Sequence, residues 1–92
     1  MSDTEMTARS DYGLTKRQMD VLWLMACGYN NNEISRELGI SLNTVQKHAI
    51  SIYHTMGVQD RAQAIIYALM HNLVHVEDAY EVMAQRLEGV TP

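Results

Sequence analysis

Cysteine is almost absent from this 92-residue chain: Cys27 stands alone, which excludes an internal disulfide framework and fits a reducing compartment. One proline and five glycines are too few for a disordered tail or a repeat array, and the length is too short for a multi-domain enzyme. One small globular domain is what remains. No apolar stretch approaches the roughly 18 residues that a membrane span requires. The first residues, Met1-Ser2-Asp3-Thr4-Glu5, carry neither the basic flank nor the apolar run of a secretion signal, so a cytoplasmic or nucleoid location is expected and no membrane partner. No segment alternates apolar and polar residues as a half-buried strand does, and the expected fold class is all-α. A glycine-rich phosphate loop and a nucleophile–base triad are both missing, so no enzyme activity, cofactor or small-molecule ligand is expected. Positive charge is also short. Seven Lys and Arg face eleven Asp and Glu, and a net charge of −4 argues against a generic nucleic-acid binder.

Apolar residues, by contrast, make up 47% of the chain. A domain this small buries only about 60–65% of its unfolded surface, so its core is marginal and an oligomeric partner is expected. The charge is unevenly spread. Between residues 14 and 71, Lys16, Arg17, Arg36, Lys47 and Arg61 slightly outnumber Asp20, Glu33, Glu37 and Asp60. The deficit lies at the ends, where Arg9 meets Asp3, Glu5 and Asp11, and Arg86 meets Glu77, Asp78, Glu81 and Glu88. A nearly neutral centre with acidic ends docks on phosphate locally but lacks long-range attraction.

Helix boundaries are legible in the punctuation. Thr15 and Gln18 fit a capping box, with Leu14 and Met19 as the apolar staple, so a first helix starts near Lys16 and buries Val21, Leu22, Met25 and either Met19 or Trp23. Gly28 supplies its left-handed stop. Asn30 and Glu33 repeat the box and open a second helix with Ile34 and Leu38 inward, ended by Gly39. Ser41 caps a third, over about residues 42–56, whose inward stripe is Val45, Ile52 and Met56 flanked by Ala49 and His48, with Gly57 as its stop. Asp60 and Gln63 open a fourth, with Ala64, Ile65, Ala68 and Leu69 inward, ending near Asn72. A fifth is expected from about Val76 to Leu87, with Val76, Ala79, Tyr80, Met83 and Leu87 on its apolar face. That stripe must bury itself against this chain or against a neighbour.

Two short helices hinged at Gly39-Ile40-Ser41, the second with a polar outer face, are how a chain inserts a helix into a DNA groove. Leu14-Thr15-Lys16-Arg17-Gln18-Met19-Asp20-Val21-Leu22, then Gly28, Asn31, Glu33-Ile34, Leu38, Ile40-Ser41, Thr44-Val45, His48, Ile52, Gly57-Val58, Arg61 and Ala64 resemble the LuxR/GerE-type helix-turn-helix domain in order and without a gap. The resemblance spans residues 14–74. It implies a four-helix domain of bacterial or phage transcription regulators, with the third helix in the major groove of double-stranded DNA and the fourth used for dimerisation. Residues 1–13 are then an N-terminal tail and 75–92 a helical extension. With 13 residues ahead of Leu14, a stand-alone member without a sensor is expected. Lysine is frequent in the family where this chain has Asn32, Gln46 and Thr55; three missing phosphate contacts flatten the salt dependence by about 2.7 units.

On the third helix Asn43, Gln46, Lys47 and Ile50 are left out of the inward stripe and share one strip, the expected base-contacting set. Gln46 suits adenine, Lys47 donates to guanine or to phosphate, and Ile50 meets a thymine methyl. Lys16, Arg17, Ser41, Thr44 and His48 are the expected phosphate contacts, His48 alternatively making a capping or core hydrogen bond. Gln63, Ile66, Tyr67 and Met70, with Tyr80 and Met83, form the expected dimerisation set, unless the fifth helix folds back and covers the fourth. The alternative function is a binding protein that pairs with another LuxR-type regulator, blocks it and leaves DNA alone. His71 and His75 have metal-pair spacing, but Asn72 interrupts the helix between them and no third ligand is evident, so no metal is expected.

Overall fold

Among the described residues, four of the five helices begin where a side-chain oxygen accepts from a backbone amide that has no intrahelical partner. The computed structural model describes residues 12–90 as α1 (Lys16–Ala26), α2 (Asn31–Leu38), α3 (Leu42–Met56), α4 (Arg61–Met70) and α5 (Val76–Val90), with no strand among the described residues. The tail expected over residues 1–13 lies outside the described residues up to position 11, as do residues 91–92 of the extension. Thr15 Oγ1 accepts from the Gln18 amide at 3.1 Å while Gln18 Oε1 accepts from the Thr15 amide at 3.0 Å. Asn30 and Glu33 close the same reciprocal pair on α2, each bond 2.8 Å. Ser41 and Asp60 cap α3 and α4. At the other end of α4 Asn72 takes φ +59°, the left-handed conformation expected of it, and the Leu73 amide donates back to the Ala68 carbonyl at 2.8 Å.

α1 packs against α2, α3 and α4, so more than one stripe of it is covered. Leu24 is therefore buried together with Val21, Leu22 and Met25, although the sequence reading left it out, while Met19 and Trp23 are half-buried. Ile34, Val45, Ala49, Ile52, Met56, Ala64 and Ala68 close the core around it. Arg61 locks α4 to the α1–α2 turn, its guanidinium donating to the Tyr29 carbonyl at 3.1 Å and to Asn31 Oδ1.

α5 corrects the expected inward face. Ala79 is buried, but Val76, Tyr80 and Leu87 are 56%, 64% and 63% exposed. The face turned inward is Ala79, Val82, Met83 and Arg86, at helical spacing of three and four. The rotation follows from tertiary partners. The Arg86 guanidinium lies 3.8 Å from the centroid of the Tyr29 ring, pairs with Glu33 at 2.8 Å and donates to the Cys27 carbonyl at 3.4 Å. Gly28 takes φ +92°, a conformation that a side chain disfavours, and Met83 packs beside it; a Cβ there would sit 3.6 Å from the Met83 Cγ and Sδ atoms, an ordinary contact. The Asn30 amide, with Arg86 and Arg36, holds the Glu33 carboxyl below the usual carboxylate range against an opposing desolvation effect. Through this face α5 docks on its own chain, while Val76, Tyr80 and Leu87 stay exposed. It leaves α4 uncovered: Ile66 and Met70 remain exposed.

Candidate nucleic-acid interface

The turn between α2 and α3 is held from both sides. Gly39 ends α2 at φ +68°, a conformation that a Cβ disfavours, and Ser35 both accepts the Ile40 amide on its carbonyl at 3.1 Å and donates its hydroxyl to the Ile40 carbonyl at 2.5 Å. Ser41 Oγ then accepts from the Thr44 amide at 3.0 Å and donates to Thr44 Oγ1 at 2.9 Å. That leaves the Leu42 and Asn43 amides without intrahelical acceptors at the tip of α3, and leaves the Thr44 hydroxyl its own proton to donate.

α3 commits Val45, Ala49, Ile52 and Met56 to the core, which turns the opposite face to solvent. The structure places Asn43, Gln46, Lys47 and Ile50 together on that exposed face, Ile50 at 67% exposure. One cation, two amides and one aliphatic tip make a surface that can donate, accept and touch a methyl within two turns. Asn32 and Thr55 are also exposed, so the missing lysines are missing from the surface.

Beside α3, the first turn of α1 presents Lys16 and Arg17. Their side chains point outward, loosely paired with Asp20 at 3.9 Å and 3.5 Å, exposed contacts that a phosphate can displace at little expense. Thr15, Lys16, Arg17, Gln18 and His48 line a cleft of about 270 Å³ between the two helices. Burial, reinforced by the Arg17 charge, pushes the His48 imidazole below its ordinary value, so at neutral pH it offers a neutral N–H rather than a charge.

Two polar links of this region were not read from the sequence. Local spacing gives Gln18 only its capping role and Ser51 none, yet Gln18 Nε2 donates to Ser51 Oγ at 3.0 Å across 33 residues of chain. Nothing in the local pattern signals it, because a capping glutamine uses one end of its amide and the other end is set by what packs beside it. Arg86 makes the second, on α5, with aromatic and acidic partners more than fifty residues upstream.

The residues expected at a dimer contact divide. Gln63, Ile66 and Met70 share an exposed face of α4. Tyr67 is half-buried, with its ring centroid 4.2 Å from His71 and 6.2 Å from Tyr12. Tyr80 is exposed on α5, and Met83 is half-buried against Gly28 within the same chain. Burial pushes the Cys27 thiol up, partly offset by the Arg86 charge, so the buried sulfur stays protonated. Among the described residues no cluster of three or more His, Cys, Asp or Glu could hold a metal, and no helix is long and apolar enough to cross a membrane.

Residues 12–68 match the family of bacterial regulatory proteins described as the luxR family. Relatives include the response regulator protein VraR of Staphylococcus aureus (strain NCTC 8325 / PS 47), of Staphylococcus saprophyticus and of Staphylococcus epidermidis. Each is 48% identical over 61 residues, a segment covering 66% of this chain and 29% of the relative. The chain thus spans less than a third of the length of these curated relatives, and α5 lies beyond the residues matched to the family. The chain belongs to the luxR family of bacterial regulatory proteins.

Proposed function

We propose that this luxR-family chain is a sequence-specific, dimeric DNA-binding transcriptional regulator that lays α3 in the major groove. The observation that carries this reading is the solvent-facing strip of Asn43, Gln46, Lys47 and Ile50, set beside a cleft whose rim holds Lys16 and Arg17. Gln46 pairs with adenine, Lys47 with guanine or phosphate, and Ile50 with a thymine methyl, while Asn43 reaches the near edge of the site. Lys16, Arg17, the open tip of α3 at Ser41 and Thr44, and the His48 N–H hold phosphates and set the register. The α4 face of Gln63, Ile66 and Met70, which carries no carboxylate, is the dimer contact, with Tyr67 at its edge. A two-fold dimer of this kind places half-sites about one helical turn apart.

The test is a titration of a genomic fragment library with the purified chain at low and at physiological salt, with light scattering on the free and bound protein. Saturable binding to a short inverted repeat by two chains is expected. Absence of selective binding, together with a stoichiometric complex between this chain and a purified LuxR-type regulator, would favour the antagonist.

A pH dependence follows from His48. A phosphate in the cleft offsets the Arg17 charge and adds a negative one, so binding favours the imidazolium that the free protein disfavours. Binding then takes up a proton. Affinity therefore rises as pH falls below neutral, and His48→Gln flattens the profile. The same depressed value lowers folding stability as pH falls below about 6.5, where the unfolded chain takes the proton first. Far-ultraviolet dichroism therefore accompanies the titration, and an affinity unchanged with pH while the protein stays folded would show that His48 takes up no proton on binding.

A further inference from the structure

A recognition helix seated only on apolar contacts is poorly fixed about its own axis, because dispersion and burial are not directional whereas a hydrogen bond is. α3 rests on Val45, Ala49, Ile52 and Met56. A turn of about 10° about its axis displaces side-chain atoms by about 1 Å at a helix radius of roughly 5–6 Å. That is enough to spoil a bidentate contact to a base edge.

The flank of α3 next to this stripe is a polar ridge of Thr44, His48, Ser51 and Thr55, spaced four, three and four residues apart. Three of its members meet residues 13–18. His48 lines the cleft, Ser51 takes a hydrogen bond from Gln18, and Thr55 Cγ2 would lie 3.3 Å from a Cβ placed on Gly13. Gln18 is the directional element. Its Oε1 is committed to the Thr15 amide, a donor, so the end that faces Ser51 is the NH2 and the orientation of the amide is determined by chemistry. Lys16 and Arg17 precede it in the same helical turn, and Ser51 follows Ile50 and stands one turn from Lys47.

We infer that Gln18 is a positioning residue for sequence reading: through Ser51 it fixes the rotation of α3 relative to the phosphate-holding start of α1. The inference rests on the DNA-binding reading and adds to it the residue pair that converts docking into specificity. Phosphate contacts tolerate small rotations of α3; base contacts do not.

The experiment compares the full chain with Ser51→Ala, which removes the acceptor while leaving the cap of α1 intact, and with Ser51→Thr, which restores a hydroxyl. Alanine is the strongest helix former, so the variant folds. Affinity for the selected site and for an unrelated duplex of equal length is measured alongside the melting temperature. Ser51→Ala is expected to lose about fivefold on the selected site, the equivalent of one hydrogen bond of roughly 1 kcal/mol. Its affinity for the unrelated duplex should change less than about twofold, and Ser51→Thr should recover the selectivity. Equal selectivity in all three chains would overturn the inference and leave the DNA-binding reading standing. So would a parallel loss on both duplexes with a lowered melting temperature, which marks a merely structural bond. No selective binding by the unaltered chain would instead remove the DNA-binding reading, and this inference with it.

Discussion

Gln46→Ala with Lys47→Ala is expected to abolish selective DNA binding, weakening the complex with the selected site about 100-fold or more. Each well-formed pair with a base edge discriminates by roughly 1–3 kcal/mol, so two lost pairs suffice. Both side chains are exposed and lie outside the buried stripe of Val45, Ala49 and Ile52, so folding stability should stay within about 0.5 kcal/mol of the parent. Affinity for unrelated DNA should fall far less, with the salt slope reduced by about 0.9 if Lys47 also touches a phosphate. Fluorescence anisotropy on selected and scrambled duplexes over a salt series separates these effects. Unchanged discrimination in the double variant would move the reading surface away from α3.

The charge distribution gives that experiment its leverage. With a net charge of −4, four carboxylates on α5 and no lysine at Asn32, Gln46 or Thr55, the chain has little general attraction for a polyanion. What affinity it has must come from short-range contacts made by a few groups in the right place. Loss of two of them is then a large fraction of the whole, whereas a strongly basic domain would hide the same loss beneath non-specific binding. In the proposed dimer, the exposed, uncharged α4 face would serve to double these contacts.

The parts of this arrangement that are local in sequence are legible there. Thr15 and Gln18, Asn30 and Glu33, Ser41 and Asp60 start helices through bonds spanning three residues, and Gly39, Gly57 and Asn72 end them in the left-handed conformation. The exposed strip of α3 follows from the same arithmetic, since a helix with one buried stripe has a definite opposite side. α5 fails this test because it offers two candidate faces that share Ala79 and Met83. Hydrophobicity favours Val76, Tyr80 and Leu87, yet Arg86 finds Tyr29, Glu33 and the Cys27 carbonyl in one place and Met83 packs beside Gly28. Those partners stand more than fifty residues upstream, so no periodicity reports them. The Gln18–Ser51 bond is hidden for the same reason.

Ile52→Ala is expected to destabilise the fold by about 2–5 kcal/mol, while Ile50→Ala, two residues away on the same helix, should change stability by less than about 0.5 kcal/mol. Ile52 is completely buried between α3 and its neighbours, so truncation leaves a cavity in a core already marginal for a chain of this size. Ile50 is 67% exposed, and its truncation removes little packing. The two effects should exchange places in DNA binding. At a temperature where both variants are folded, Ile50→Ala loses the methyl contact and its discrimination at one thymine, whereas Ile52→Ala retains the exposed chemistry and loses affinity mainly as its folded fraction falls. Urea melts with an unchanged slope and a shifted midpoint would report the first difference, and a base-substitution series in the selected site the second. Equal destabilisation by both variants would mean that Ile50 is covered in the folded protein, and that α3 does not present the face proposed for reading DNA.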